Sequence, residues 1–317
     1  MHPLHLPFFD ELDRARTILL AGAGGGYDVF SGLPLYFGLR RAGKTVHLAN
    51  LSFTHLEHAS GRRLAPALLE VTADSEGSKY YFPEGYLSQW FRAQGEEVPI
   101  YCFDRTGVGP IRRGYEVLLE QLGPDTIILV DGGTDSLMRG DEVDLGTPHE
   151  DIASIAAVDD LPVPRKLLVC TAFGVDHFHG VCHAYFLEAV AELTRAGAHL
   201  GTFSLMKEMP EVQKARAATL AVFRAMPDHV SIVASSVLNA IEGWYGDVHA
   251  TSRTAGSALY INPLMGLYWC FQLRAVAQRI LYLDAVKKSE TFIDVDDAIE
   301  NYRMTCKHIR PWIDLPM

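Results

Sequence analysis

An apolar run that turns on almost pure glycine constrains the fold of this chain more than any other stretch. Residues 17–21 end in apolar side chains and lead directly into Gly22-Ala23-Gly24-Gly25-Gly26. Residues 29–43 then repeat their apolar positions with helical spacing, and residues 45–51 have the composition of a second strand. A strand, a helix and a strand in this order make parallel neighbours, so the pattern predicts an α/β fold.

The same alternation continues along the chain. Further strand-like runs are predicted at residues 98–103, 126–130, 166–171, 230–234 and 280–283. Helical patterns are predicted at residues 8–16, 85–93, 112–122, 150–158, 181–196, 211–225 and 296–304, with a mostly helical stretch at 262–277. No repeat or linker interrupts this order. We therefore predict a three-layer αβα fold with a mainly parallel, Rossmann-like sheet, formed by residues 1–317 as a single α/β domain.

The net charge and the composition limit the kinds of binding partner that we expect. The net charge of -11 argues against a nucleic-acid binder, which needs a basic face. The five cysteines are dispersed without a CxxC pair, the N-terminus lacks the pattern of a secretory signal, and no apolar run reaches membrane-spanning length. These features predict a cytoplasmic protein that binds a small molecule and neither a membrane nor a nucleic acid, with homo-oligomer formation left open.

The glycine turn differs from a dinucleotide fingerprint at two points. Tyr27 occupies the place of the third glycine, and Asn50 ends the second strand where an acidic residue would bind a ribose. The backbone of Gly24, Gly25 and Gly26 can still approach a phosphate or sugar, so these glycines are predicted to bind substrate. For Asp28, which comes directly after the turn, a helix cap and a binding role remain as alternatives.

A second motif begins where the central apolar strand ends, at Asp131-Gly132-Gly133-Thr134-Asp135. Carboxyl ends of parallel strands form the ligand-facing edge of such a sheet, so Asp131 and Asp135 are predicted to be catalytic. The residues predicted to bind substrate nearby are Thr134, Arg139, Asp141 and Glu142. A solvated loop with helix caps is the alternative interpretation.

A third motif, Asp176-His177-Phe178-His179, comes after another apolar strand. A histidine oriented by a carboxylate can act as a base or a metal ligand near neutral pH. We predict His179 as a catalytic base and Asp176 and His177 as substrate-binding residues, with an ordinary structural role as the alternative.

Taken together, the segments Gly22–Asp28, Ser31–Pro34, Asp131–Asp135 and Arg139–Glu142 resemble an uncharacterised prokaryotic family, domain of unknown function 1152. The resemblance covers most of the chain. It implies a Rossmann-like fold and brings no settled activity.

The glycine turn also resembles that of the sirtuins, in which a GAG turn is followed by an SGIP segment. Here the corresponding residues are Gly22-Ala23-Gly24 and Ser31-Gly32-Leu33-Pro34. The resemblance implies an NAD-type ligand, with Asp135 and His179 as counterparts of the sirtuin strand-end aspartate and histidine base. The sirtuin arginine after this segment and the paired zinc cysteines are missing from this chain.

These motifs support three functional hypotheses. The leading hypothesis is an enzyme, either a hydrolase or a transferase, that binds a nucleotide, an NAD-type molecule or a related phosphorylated or glycosylated molecule. It would use the acids and a histidine for glycosidic or group-transfer chemistry. This hypothesis assigns no metal ligands. The second is a metal-dependent hydrolase. Its proposed ligands are Asp135, Asp141, Glu142, His177 and His179. The third is a non-catalytic metabolite sensor. The cofactor thus stays open between an NAD-type nucleotide and a divalent metal.

Overall fold

Nine strands form one sheet in the part of the chain that the structure, a computed structural model, describes, residues 5–315. Residues 1–4, part of the N-terminus predicted not to be a secretory signal, and residues 316–317 lie outside that range. The strands are β1 (Thr17–Gly22), β2 (Thr45–Leu51), β3 (Arg62–Ala65), β4 (Leu68–Val71), β5 (Ile100–Phe103), β6 (Thr126–Asp131), β7 (Arg165–Cys170), β8 (His199–Ser204) and β9 (Leu267–Gln272).

The sheet order is β3-β4-β5-β2-β1-β6-β7-β9-β8. The five central strands, β5 to β7 in this order, are all parallel, and their sequence along the chain gives the 3-2-1-4-5 arrangement of doubly wound folds. The predicted α/β class and mainly parallel sheet are confirmed. Both edges are antiparallel, however, because β3 and β4 pair next to β5 and because β9 and β8 pair next to β7.

Helices cover both faces of this sheet. They are α1 (Pro7–Arg14), α2 (Asp28–Ser31), α3 (Leu33–Arg41), α4 (Pro83–Ala93), α5 (Val108–Leu122), α6 (Pro148–Asp159), α7 (His183–Arg195), α8 (Pro210–Ala225), α9 (Ile232–Ile241), α10 (Leu273–Ala277), α11 (Leu283–Val286) and α12 (Phe292–Thr305). Within residues 5–315, none is long and apolar enough to cross a membrane.

The three layers arise from the alternation of side chains along the strands. On β1, Leu19 and Ala21 face a core formed with α5, α6, α7 and α10, whereas Ile18 and Leu20 face a core formed with α1, α3, α4 and α8. All four side chains are fully buried, as expected of a parallel sheet covered on both faces.

The structure differs from three local predictions, two of them fully and one in part. Residues 230–234 do not form a strand, because α9 begins at Ile232 and the Ser231 side chain caps it by accepting a hydrogen bond from the Ala234 amide. In the stretch 262–277, predicted to be mostly helical, residues 267–272 form β9 and pair with β7 and β8, whereas Pro263–Gly266 and Leu273–Ala277 are helical. Residues 280–283 form a turn, in which the Leu283 amide donates to the Ile280 carbonyl. Short apolar runs fit both periods, and long-range pairing selects between them.

Candidate functional site

Five aspartates converge at the carboxyl ends of β1, β6 and β7. Between the neighbouring strands β1 and β6 the strand order reverses, and in open α/β sheets ligands bind in the crevice at such a point. The five are Asp28, Asp131, Asp135, Asp151 and Asp176, which come from four separate segments of the chain. All except the half-buried Asp28 are buried.

The glycine turn is held in shape by Asn50 at the end of β2. The Asn50 Nδ2 donates to the Gly26 carbonyl at 2.9 Å, and its Oδ1 accepts from the Val29 amide at 3.3 Å. On the other side of the turn, the Gly24 amide donates to Asp28 Oδ2 at 2.6 Å. Asn50 occupies the position at which dinucleotide-binding domains have a ribose-binding acid. Its hydrogen bonds therefore stabilise the conformation of the glycine turn.

Two backbone amides of the glycine turn are not used as hydrogen-bond donors within the described residues. Gly25 and Gly26 have φ of 94° and 61°, values that favour glycine. Among residues 5–315, no acceptor takes a hydrogen bond from either amide. Phe53 lies over Gly25, since a Cβ there would be 2.4 Å from the Phe53 ring. The turn thus keeps unused backbone donors under a partly exposed aromatic side chain.

The glycines around the crevice also make room for carboxyl groups. A Cβ on Gly24 would lie 2.5 Å from a carboxylate oxygen of Asp151, and one on Gly132 would lie 2.6 Å from Asp28 Oδ1. A Cβ on Gly133 would lie between 2.8 and 3.2 Å from oxygens of the three remaining aspartates. Such approaches exclude any larger residue unless the carboxyl groups move.

Hydrogen bonds orient the two acids that are predicted to be catalytic. The Ser136 hydroxyl donates to Asp131 Oδ2 at 2.5 Å. The Thr147 amide and hydroxyl both donate to Asp135 Oδ2, at 2.8 and 3.1 Å. Each carboxyl group is thus oriented by its own partner before a ligand binds.

The residues of the third motif lie in different places, with Asp176 in the crevice and His177 outside it. Asp176 Oδ2 accepts from both the amide and the hydroxyl of Thr134, at 2.6 and 3.1 Å, so the Thr134 hydroxyl is engaged by this acid. His179 is exposed beside Asp135. His177 instead packs against the rings of His183 and Trp312, both with centroids 5.1 Å away.

Burial raises the pKa of every acid in this cluster. Burial, followed by the charges of neighbouring aspartates, holds the pKa values of Asp131, Asp151 and Asp176 well above their usual range. Burial also raises the pKa of Asp135, and it raises that of Asp28 to about 8 against a hydrogen bond from the glycine turn. Within residues 5–315, no lysine or arginine nitrogen lies within 4.0 Å of these five carboxyl groups.

These shifts predict how stability depends on pH. A carboxyl group with a raised folded-state pKa binds a proton that the unfolded chain has lost, so stability falls as pH rises from about 4 towards the folded pKa. Without divalent ions, unfolding by urea is expected to show a steeper loss of stability from pH 5 to pH 8 in the wild type than in Asp176→Asn. Asparagine keeps the acceptor for Thr134 and removes the titration. Equal slopes in the two proteins would contradict this expectation.

Arg139, Asp141 and Glu142 are engaged elsewhere. Arg139 forms an ion pair with Asp141 at 2.7 Å, and Arg310 near the C-terminus contacts both Asp141 and Glu142 at 2.9 Å. Glu142 also accepts from the amides of Arg139 and Gly140. The structure therefore does not bring these three predicted substrate-binding residues into the cluster of five aspartates.

Asp151 is the residue of the cluster that the sequence motifs do not reveal. Its buried carboxyl group lies against Gly24. A hydrogen bond of 2.7 Å from the Ser154 hydroxyl to the Ala23 carbonyl ties the first turns of α6 to the glycine turn. The signal in the sequence is the place of Asp151 in the first helical turn after a strand-end motif.

The comparison with protein families agrees with the resemblance to domain of unknown function 1152. Residues 62–307 match the family described as "Protein of unknown function (DUF1152)", and the chain belongs to that family. The match includes four of the five clustered aspartates and begins after the glycine turn. No curated protein shows significant similarity to the sequence.

Proposed function

We propose that this member of the DUF1152 family is an enzyme that binds a nucleotide, an NAD-type molecule or another glycosylated small molecule. The enzyme would break the glycosidic bond of this ligand and pass the glycosyl group to water or to another acceptor. The observation that carries the proposal is the convergence of five aspartates at the switch point of a doubly wound sheet. Burying several acids together without a lysine or arginine partner is costly, and sites of this kind are typical of catalysis and binding.

Carboxyl groups supply what cleavage of a glycosidic bond requires. One carboxylic acid protonates the leaving group while a carboxylate stabilises the positive charge that develops on the sugar. Acids whose pKa is raised by burial keep their proton at neutral pH and can donate it. Asp135 and Asp131 are the pair to which we assign these roles, since hydrogen bonds from Thr147 and Ser136 fix both.

His179 and a neighbouring cavity extend the site on the side of β7. The cavity, of about 80 Å³, is lined by Asp176, His179 and Arg253 together with apolar side chains of α9. We assign to His179 the role of the base that accepts a proton from an attacking water or hydroxyl group. The free amides of Gly25 and Gly26 provide donors for a phosphate or sugar at the opposite end.

The surroundings of the metal ligands expected from the sequence do not favour the hypothesis of a metal-dependent hydrolase. Asp141 and Glu142 are bound by arginines, and His177 packs against an aromatic side chain. The metabolite sensor shares the same crevice and differs only in lacking turnover, so an experiment on turnover separates it from the enzyme.

A ligand panel tests the proposal. Nucleosides, nucleotides, NAD-type dinucleotides and sugar phosphates are screened for binding by calorimetry and for conversion by mass spectrometry. We expect at least one compound to bind and to release the group attached to its sugar carbon. Binding without conversion would favour the sensor, and the absence of any binding would contradict both.

A further inference from the structure

Three carboxyl groups of the crevice lie close enough together to share one ion. Asp28, Asp131 and Asp151 each offer an oxygen, and these three oxygens lie within 4.8 Å of one another. The residues stand at the end of the glycine turn, at the end of β6 and in the first turn of α6. Regular elements therefore hold all three positions.

The spacing suits a hard divalent cation. Oxygen ligands of Ca²⁺ lie about 2.4 Å from the ion, so two of them are at most about 4.8 Å apart. Mg²⁺ and Mn²⁺ bind oxygen at slightly shorter distances, which small rotations of the carboxyl groups can provide. Carboxylates are the protein ligands that these ions prefer.

An unpaired oxygen gives independent evidence for a ligand. Asp151 is 3% exposed, and its Oδ1 is buried without a hydrogen-bond partner among the described residues. Buried polar atoms are nearly always paired, and leaving one unpaired is costly. A cation next to Asp151 Oδ1 would remove this cost.

The other two ligands are already oriented. The Gly24 amide donates to one oxygen of Asp28, and the Ser136 hydroxyl donates to one oxygen of Asp131. Hydrogen bonds of this kind to carboxylate ligands fix their direction and strengthen ion binding.

A second group of potential ligands, His5, Asp10 and Asp13, differs in these respects. All three side chains lie near the protein surface, and the His5 Nδ1 already contacts Asp10 at 2.8 Å. Exposed acids of this kind are common without an ion, so this group does not indicate an ion site. It provides a matched control, because Asp13→Asn removes one carboxylate from a surface cluster.

We propose that Asp28, Asp131 and Asp151 bind one oxygen-preferring divalent cation, of the class of Mg²⁺, Mn²⁺ and Ca²⁺, at the switch point of the sheet. The ion site goes beyond the proposed reaction and does not depend on it, because binding requires no substrate. A bound ion would present its remaining coordination positions to hydroxyl or phosphate oxygens of a ligand in the same crevice.

Titration with Mn²⁺ tests the site in the full-length protein after treatment with a chelator and its removal. Electron paramagnetic resonance measures free Mn²⁺, and excess Mg²⁺ or Ca²⁺ serves as competitor. We expect one Mn²⁺ per chain, displaced by the competitors. Asp151→Asn and Asp28→Asn are each expected to weaken binding by about tenfold or more, whereas Asp13→Asn should bind as the wild type does.

Several results would overturn the proposal. They are the absence of stoichiometric Mn²⁺ binding to the wild type, wild-type affinity in both crevice variants, and loss of binding in Asp13→Asn. Circular dichroism checks that each variant is folded. Should Asp151→Asn not fold, Asp28→Asn decides, since Asp28 is only half-buried. Turnover of a glycosidic substrate by protein that binds no Mn²⁺ would contradict the ion site alone.

Discussion

Replacing Asp135 with asparagine is expected to lower kcat for the substrate found in the ligand panel by about 100-fold or more, while KM changes far less. Asparagine keeps an oxygen that accepts from the amide and hydroxyl of Thr147, so the side chain stays in place. It cannot donate or accept the catalytic proton. The loss therefore reports the chemistry of the carboxyl group and not its packing.

A matched control is Asp297→Asn on α12, where the side chain is exposed and lies outside the cluster. Steady-state kinetics on both variants and the wild type make the comparison. Wild-type kcat in Asp135→Asn would remove this residue from the mechanism. A proportional loss in Asp297→Asn would show that the assay responds to surface charge instead of to the site.

Replacing Arg310 with alanine is expected to lower the free energy of unfolding by about 3 kcal/mol. The Arg310 guanidinium contacts Asp141 and Glu142 at 2.9 Å and lies over the ring of Tyr185 at 4.1 Å. Glu142 is 1% exposed, so loss of the arginine leaves a buried acid without its cation. Unpairing a buried charge costs much more than unpairing an exposed one.

Arg113→Ala is the control for this prediction. Arg113 pairs with Glu290 at 2.8 Å, but both side chains are more than half exposed. Its removal should change stability by about 0.5 kcal/mol or less. Urea unfolding of the three proteins gives the two differences, and similar values for Arg310→Ala and Arg113→Ala would contradict a stabilising role of the buried network.

The central part of the fold is accessible from sequence because it depends on local patterns. The apolar runs that form β1, β2, β5, β6 and β7 are bounded by turns and separated by helical segments, which determines a parallel sheet with helices on both faces. Parallel strands share one carboxyl edge, so the sequence alone predicts that the motifs at Asp28, Asp131 and Asp176 lie together.

The antiparallel edge beyond β7 depends on contacts far along the chain. The run that forms β9 is buried between β7 and β8, where Cys270 pairs with Val169 and Trp269 with Thr202. Without that pairing, the same apolar residues fit a helix equally well.

Which residues form the site also depends on contacts between distant parts of the chain. Sequence order joins Arg139, Asp141 and Glu142 to the strand-end motif, yet Arg310 draws the two acids into a network near the C-terminus. Asp151 enters the cluster because α6 begins against the glycine turn. The sequence by itself determined which strand ends carry acids. Only the tertiary structure decided which acids are buried together, because burial and ion pairing depend on residues that are distant along the chain.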